Sequence, residues 1–283
     1  MTQQLTVSCE FFPPKTDKGI ANLREVREKL APLKPEFYSV TFGAGGSTQD
    51  NTLDAVIDIQ NDSITTGIDA APHLSCVGST EESIRDILNT FKANNISRIV
   101  ALRGDLPSGM RDPGDFRYAN ELIDFIRKET GDYFTLEVAA YPEVHPQAQS
   151  AEIDLINFKR KVDAGADSAL TQYFYNVDSY LYFVDRCQKA GIEIPIIPGI
   201  MPINNFSQLA RFSDGCGAEI PRWLRKRLEE FHDDTESLQA FTLDFLTDFT
   251  QKLIDTGVPG LHFYSMNRID PTLTICERLG LIK

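Results

Sequence analysis

The chain has 283 residues, a net charge of −13 and 42% apolar residues. That length admits one large α/β barrel or two ordinary domains. The negative charge argues against a general nucleic-acid or membrane-surface binder, because a phosphate surface repels it, but it leaves room for a local basic pocket holding a small anion.

No apolar run approaches the roughly 18 residues that cross a bilayer. The start, Met1 to Val7, lacks a basic region followed by an apolar one, so no signal peptide is expected and the location is expected to be cytoplasmic. Cys9, Cys76, Cys187, Cys216 and Cys276 form an odd, scattered set, which predicts reduced thiols. His73-x-x-Cys76 is the one close His/Cys pair, and with no second pair near it no metal site is expected.

In chain order, Leu5 to Phe12 reads as a strand stopped by Pro13-Pro14. Asp17 to Leu33 has Ile20, Leu23, Val26 and Leu30 at helical spacing. Phe37 to Phe42 is a second strand, followed by the loop Gly43-Ala-Gly-Gly-Ser-Thr48. That loop matches neither a P-loop nor a dinucleotide fingerprint. A helix through Leu53, Val56 and Ile57 leads to a third strand, Ala70 to Cys76. Ser79 and Glu82 have capping-box spacing for the next helix, which ends near Asn94-Asn95.

The fourth strand, Ile99 to Leu102, is a continuous apolar run, as expected for a strand buried on both faces, and it ends in Arg103-Gly104-Asp105. A helix from Tyr118 to Gly131 precedes the fifth strand, Phe134 to Tyr141. Ser150 opens a helix through Ile153, Ile156 and Val162 that Gly165 closes. Its Asp154, Asn157, Arg160 and Lys161 fall mostly on one side, either a solvated face or one that holds an anion. Ser168 to Tyr175 is the sixth strand, Val177 to Ala190 a helix, and Ile194 to Met201 the seventh strand, with Pro195, Pro198 and Gly199 in it. Phe206 to Phe212 is a short helix, and residues 213–233 are irregular or hold one more. Asp234 caps a long helix through Leu238, Phe241, Phe245, Phe249 and Leu253. Gly260 to Met266 is the eighth strand, and Pro271 to Leu279 the last helix.

Eight strands alternating with helices imply parallel pairing and right-handed crossovers. The expectation is one catalytic (β/α)8 TIM barrel over residues 1–283, with extra helical segments between strands seven and eight. An open doubly wound sheet is the runner-up, but no nucleotide fingerprint follows the first strand.

In such a barrel the site lies at the carboxyl ends of the strands. Those ends carry Glu10, Thr41, His73, Arg103 with Asp105, Tyr141 with His145, Gln172, and Tyr264 with Arg268. Any one of these could serve the fold alone; all of them together point to a site. Glu10 is flanked by Cys9 and Phe11, so desolvation is expected to raise its pKa toward that of a general acid. Asp105, beside Arg103, should stay ionised, and two carboxylates in different surroundings suggest two roles. The residues alone describe a barrel enzyme with an acid, a second carboxylate and an anion-holding helix face. A lyase or transferase that uses no redox cofactor and a non-catalytic binding barrel remain open on the same features.

Seven fragments in order go further: Glu10-Phe-Phe-Pro-Pro-Lys15, Val40-Thr-Phe-Gly-Ala-Gly-Gly-Ser47, His73-Leu-Ser-Cys76, Ala101-Leu-Arg-Gly-Asp-Leu-Pro107, Ala140-Tyr-Pro-Glu-Val-His-Pro146, Lys159-Arg-Lys-Val-Asp-Ala-Gly-Ala166 and Phe263-Tyr-Ser-Met-Asn-Arg268. Together they resemble the methylenetetrahydrofolate reductase family over essentially the whole chain. The likeness is to its short bacterial form, so no inhibitory regulatory domain is expected after Lys283.

The resemblance implies non-covalent FAD in a (β/α)8 barrel. In that family NADH or NADPH passes hydride to flavin N5 and leaves, and 5,10-methylenetetrahydrofolate then accepts it in the same place to give 5-methyltetrahydrofolate, a ping-pong reaction. Glu10 matches the general acid that protonates the folate nitrogen. Asp105 matches the carboxylate near the flavin pyrimidine and the pterin. Gln172 matches a pterin-contacting amide, and Phe212 an aromatic that stacks on nicotinamide or folate. Thr41 and Tyr264 are also implied at the substrate, and Arg268 at the folate glutamate tail.

For FAD the resemblance implies Thr41, Phe42 and His73, then Arg103, Gly104 and Asp105. It adds Tyr118 and Ala119, then Tyr141, His145 and Ala148. On the polar helix face it implies Asp154, accepting from a ribose hydroxyl, together with Asn157, and Arg160 and Lys161 at the pyrophosphate. Phe42 stands where many relatives carry tyrosine, so a hydroxyl contact is absent there. A homo-oligomer is expected, with no nucleic-acid or membrane partner.

Overall fold

The computed structural model describes residues 5–42, 46–105 and 114–282, with residues 46–50 described by backbone alone. Residues 43–45 of the glycine loop, and Leu106 and Pro107 of the fourth-strand motif, lie outside the described residues.

The strands are β1 (Thr6–Phe11), β2 (Phe37–Val40), β3 (Asp69–Ser75), β4 (Arg98–Leu102), β5 (Thr135–Ala140), β6 (Ser168–Thr171), β7 (Ile196–Ile197), β8 (Gly199–Ile200) and β9 (Gly260–Tyr264). They form one parallel sheet in the order β7-β6-β5-β4-β3-β2-β1-β9-β8. β7 and β8 are two pieces of the expected seventh strand, split at Pro198, which has no N–H to give a ladder. β7 pairs with β6, and β8 pairs with β9. The sheet therefore closes through a single residue into the expected (β/α)8 barrel.

Around it lie α1 (Asp17–Leu30), α2 (Gly46–Thr66), α3 (Glu81–Ala93), α4 (Ala119–Thr130), α5 (Ala151–Asp163), α6 (Val177–Lys189), α7 (Phe206–Cys216), α8 (Arg222–Glu230), α9 (Thr235–Asp255) and α10 (Thr272–Arg278). The extra helices between the seventh and eighth expected strands are α7 and α8, with α9 leading back into β9. Among the described residues no helix is long and apolar enough to cross a membrane.

Strand alternation sorts side chains into two cores. Outward residues such as Cys9, Phe11, Ile99, Ala101, Val138 and Phe263 belong to the large cluster under the helices. Inward residues Phe37, Ala71, Val100, Leu170 and Ile197 form a separate plug inside the barrel. Full burial of a side chain of this size contributes about 1.5–3 kcal/mol, so the outer layer carries most of the stability. The inner face has room for polar groups.

Two local expectations are corrected. The cap of α3 is Thr80, with Ser83 as its reciprocal partner: Thr80 Oγ1 accepts the Ser83 N–H at 3.2 Å, and Ser83 Oγ accepts the Thr80 N–H at 3.0 Å. Ser79 cannot serve, because it is bridged to Gly114 and its carbonyl accepts the Asp115 N–H. On α5, Ile153 and Ile156 are exposed, and the fully buried residue is Phe158, packed on Phe183 of α6 with ring centres 5.6 Å apart. α5 turns a narrow apolar edge inward and leaves its polar side free for other work.

Candidate active site at the barrel mouth

Glu10 lies on the inner face of β1, between Ser39 of β2 and Tyr264 of β9 in the ladders. Its carboxylate meets two imidazoles from other strands. His73 Nε2 on β3 is 3.3 Å from Glu10 Oε2, and His262 Nε2 on β9 is 3.7 Å away. Both nitrogens are buried, and among the described residues neither has a partner in hydrogen-bond geometry; the nearby Ser39 hydroxyl is likewise without one. His262 Nδ1 is held by the Ser8 hydroxyl at 2.8 Å, two residues before Glu10 on the same strand face. With the proton on Nε2, that Nδ1 accepts from the Ser8 O–H. The Glu10 backbone carbonyl is gripped by Ser265, whose N–H and Oγ donate at 3.2 and 2.6 Å. Asn267 pins Phe12 through both its amide atoms.

The expected rise in the Glu10 pKa is not what this arrangement produces. Burial does push the carboxyl up, but the imidazoles of His73 and His262 more than offset it and hold it at about 2. Cys9 and Phe11, read as its desolvating neighbours, point the other way, into the outer core. Adjacent residues on a strand do not share an environment.

A second group lies along the ends of β4 and β5. One cleft is lined by Arg103, Gly104, Asp105, Ala119, Tyr141, His145 and Lys161. Asp105 is exposed at its edge. Arg103 does not pair with Asp105; its guanidinium donates to the Gly104 carbonyl at 3.1 Å and to Gln147 Oε1 at 2.7 Å. Gly104, at φ +82°, reverses the chain between them, and a Cβ there would come within 2.9 Å of Ser75 Cβ. Glycine is required at this position by β3 and by the positive φ.

Lys161 reaches inward from α5 to the Ala139 carbonyl, and burial pushes its ammonium down to about 8 against the pull of Asp154. Asp154 Oδ2 accepts the His145 N–H at 2.9 Å. His145 Nδ1 accepts the Gln147 N–H at 3.1 Å, and its ring sits edge-on to Tyr141 at 4.5 Å. Burial lowers the His145 pKa and raises that of Tyr141 to about 12. Ala148 closes the same loop, with its N–H on the His145 carbonyl. Asn157 and Arg160 bond each other on the exposed side of α5, and Tyr118 is exposed at the start of α4. The expected polar face thus divides: Asp154 and Lys161 turn in, while Asn157 and Arg160 stand at the rim.

The remaining expected residues lie around the rest of the mouth. Phe42 and His73 line a cavity with Thr52 and Leu53, and the Thr41 carbonyl accepts the Thr52 hydroxyl. Gln172, just past β6, accepts the Tyr173 N–H on its Oε1. The Tyr264 hydroxyl donates to the Thr171 carbonyl at 2.7 Å. Phe212 of α7 lines a cleft with Met201 and Met266. Arg268 is exposed on the last loop.

The sequence reading missed Ser8 and His262. Their signal was present: period two from Glu10 gives Ser8, and period two from Tyr264 gives His262. Ser265 and Asn267 act through the turn geometry after β9, where Met266 and Asn267 both have φ of 55°, and no residue pattern marks that.

The family model described as "Methylenetetrahydrofolate reductase" matches residues 1–280. The 5,10-methylenetetrahydrofolate reductase of Escherichia coli is 44% identical over 278 residues, covering 98% of this chain and 92% of that one. A rice protein named "Probable methylenetetrahydrofolate reductase (NADH)" is 41% identical over 98% of this chain and 48% of its own length. Among solved structures, a Clostridium thermocellum protein described as binding two copies of 5-methyl-5,6,7,8-tetrahydrofolic acid superposes with a TM-score of 0.62 at 15% identity, covering 100% of this chain and 95% of that one, which shows the shared barrel. The chain therefore belongs to the methylenetetrahydrofolate reductase family.

Proposed function

We propose that the barrel mouth reduces 5,10-methylenetetrahydrofolate with electrons from reduced nicotinamide, through FAD held non-covalently beside β4, β5 and α5. The observation that carries this reading is Glu10, an inward carboxylate facing two buried imidazole nitrogens that have no other hydrogen-bond partner among the described residues. The β4–β5 cleft suits FAD by its donor set. Arg103 and Lys161 bring positive charge for a pyrophosphate, Tyr141 and His145 give ring surface, and the flanking loop is fixed by Asp154. Bound there, FAD would supply the two-electron chemistry that no side chain provides. Arg160 and Asn157 extend the donor set toward the outer end of α5.

In the free site Glu10 is ionised at neutral pH, so the proton it gives to substrate must first be brought to it. The protein's part is to deliver that proton to the folate nitrogen through Glu10. His73 is the nearer source, at 3.3 Å, and His262 the one whose tautomer Ser8 can fix. Substrate covering the mouth excludes water, and desolvation raises a carboxyl pKa, which favours transfer onto Glu10. Gln172 and Phe212 hold the substrate ring system, and Asp105 places negative charge at the cleft edge near a cationic folate intermediate. Names of plant relatives carry NADH.

The purified protein is expected to be yellow, or to become so with added FAD; a protein that stays colourless sinks the reading. Glu10→Gln is expected to keep flavin reduction by NADH or NADPH and to lose folate reduction by at least about 100-fold. Stopped-flow measurement of each half-reaction decides this, and equal loss in both removes Glu10 from the acid role.

A further inference from the structure

The loop after β5 carries Tyr141 and His145, and it also carries a carboxylate that the reaction does not use. Glu143 Oε2 accepts the backbone N–H of Glu219 at 2.6 Å. Glu219 lies just past the C-terminus of α7, the helix that presents Phe212. Gly217, which caps α7 at φ +76°, is pressed against the same loop: a Cβ there would stand 3.1 Å from Pro146 Cδ and 3.2 Å from the Val144 carbonyl. Ser213, next to Phe212, bonds the Tyr173 hydroxyl at 3.0 Å, one residue beyond Gln172. The N-terminal end of α7 is capped by its own Asn205, with Leu209 buried in the core and Arg225 of α8 5.8 Å over the Phe206 ring. The C-terminal attachments are the ones that join α7, and with it Phe212, to the loop after β5.

We propose that Glu143 is a positioning residue that clasps the 217–219 segment to the loop holding Tyr141 and His145, and so sets how α7 and Phe212 stand over the mouth. This rests on reading the mouth as the folate and nicotinamide site. The clasp joins the wall of the proposed flavin cleft to the helix that covers the substrate. A bond from an N–H to an ionised carboxylate is stronger than one to a neutral acid, so the clasp depends on charge. Burial pushes the Glu143 carboxyl up to about 7, with the Glu219 carboxylate adding to the rise; the Glu219 N–H and Ser179 of α6 oppose it. The titratable groups facing it are Glu219 from the segment after α7 and the Tyr173 phenol from beyond β6. The clasp is therefore tight above neutrality and loosens as Glu143 takes a proton.

The test uses the holoenzyme and reads KM and kcat across neutral pH. Wild-type turnover comes first, because its absence sinks the functional reading and says nothing against Glu143. In the wild type KM is expected to rise as pH falls through about 7. Glu143→Ala is expected to raise KM for folate about 10-fold with kcat nearly unchanged, the mark of lost binding rather than lost chemistry. Glu143→Gln should flatten the step. Glu219→Gln keeps the backbone N–H and removes the like charge, so it should keep the low KM and move the step to lower pH. The sole tryptophan, Trp223, begins four residues after Glu219 on α8, and its emission should show the same step in the wild type and none in Glu143→Gln. An unmoved midpoint in Glu219→Gln, or an unchanged KM in Glu143→Ala, overturns the proposal. If Glu143→Ala does not fold, the Glu219→Gln midpoint and the Trp223 step still decide.

Discussion

Glu10 and Glu137 are both acids on the inner face of the barrel, and the fold surrounds them in opposite ways. Glu137 on β5 is fully buried and receives hydrogen bonds from Arg98 of β4 and Ser168 of β6. Arg98 also bonds Glu36 at 2.5 Å and lies 4.6 Å over the Phe37 ring. Phe37 is also stacked with His262 at 6.1 Å between ring centres, so one phenyl ring lies between the two clusters. Glu10 is held less tightly: among the described residues its imidazoles stand at 3.3 and 3.7 Å, long for hydrogen bonds. A carboxylate whose acceptor sites are filled by neighbours holds strands together. One that faces unpartnered donors has capacity left for a proton and a ligand.

The largest expected effect lies at the saturated acid. Arg98→Met leaves Glu137 buried without its cation, which costs about 3–5 kcal/mol. Urea unfolding should show that loss, and Arg98→Met combined with Glu137→Leu should recover most of it, because an apolar pair leaves no stranded charge. In whatever fraction folds, both half-reactions should run at wild-type rates. A loss under about 1 kcal/mol in the single variant, where a surface pair would fall, would mean that Glu137 is not stranded.

The pH dependence separates the two acids next. The Glu10 carboxyl is held at about 2 in the folded chain against an ordinary 4.5. The unfolded chain therefore binds the extra proton between those values, and stability falls as pH drops from 4.5 toward 2. The shift corresponds to about 3 kcal/mol, present in full above 4.5. The unfolding free energy of wild type minus that of Glu10→Gln should shrink by about this amount on acidification. Glu137 has the opposite sign, since burial raises its carboxyl despite Arg98 and Ser168. It costs nothing below its ordinary value and costs stability as pH rises toward its raised one. A gap for Glu10→Gln that stays flat with pH would show that the imidazoles do not hold Glu10 down.

The same contrast explains what the sequence made legible. Eight alternating units and the residues at strand ends could be read because a buried parallel strand is a local pattern with a fixed end. Glu10, His73, Arg103, Tyr141 and His145 were read as strand-end residues in that way, and the structure places them at the barrel mouth. The partnership of Glu10 with His73 and His262 joins three strands far apart in the chain, and register alone brings them together. The wrong sign for the Glu10 pKa came from treating Cys9 and Phe11 as surroundings. The cap of α3 slipped by one residue because Gly114 and Asp115, distant in sequence, claim Ser79. Pattern gives which residues a strand end offers; what each one faces is set by closure of the barrel.

The smallest effect gives the sharpest comparison, because each acid has its own serine. Ser168 Oγ donates to Glu137, and Ser8 Oγ bonds His262 Nδ1 at 2.8 Å. Replacing either by alanine removes one buried hydrogen bond and is expected to cost about 1 kcal/mol in stability. The kinetic consequences should differ. Ser168→Ala changes an acid that only supports strands, so folate reduction should keep its wild-type rate. Ser8→Ala frees the His262 ring to hold its proton on either nitrogen, and only the Nε2 tautomer faces Glu10. Folate reduction should then slow by a few-fold while flavin reduction by nicotinamide is untouched. Single-turnover rates for both variants at matched stability decide the matter. If both serines slow folate reduction equally, the loss is general softening of the barrel and the proton path through His262 is wrong; if neither does, His73 alone serves Glu10.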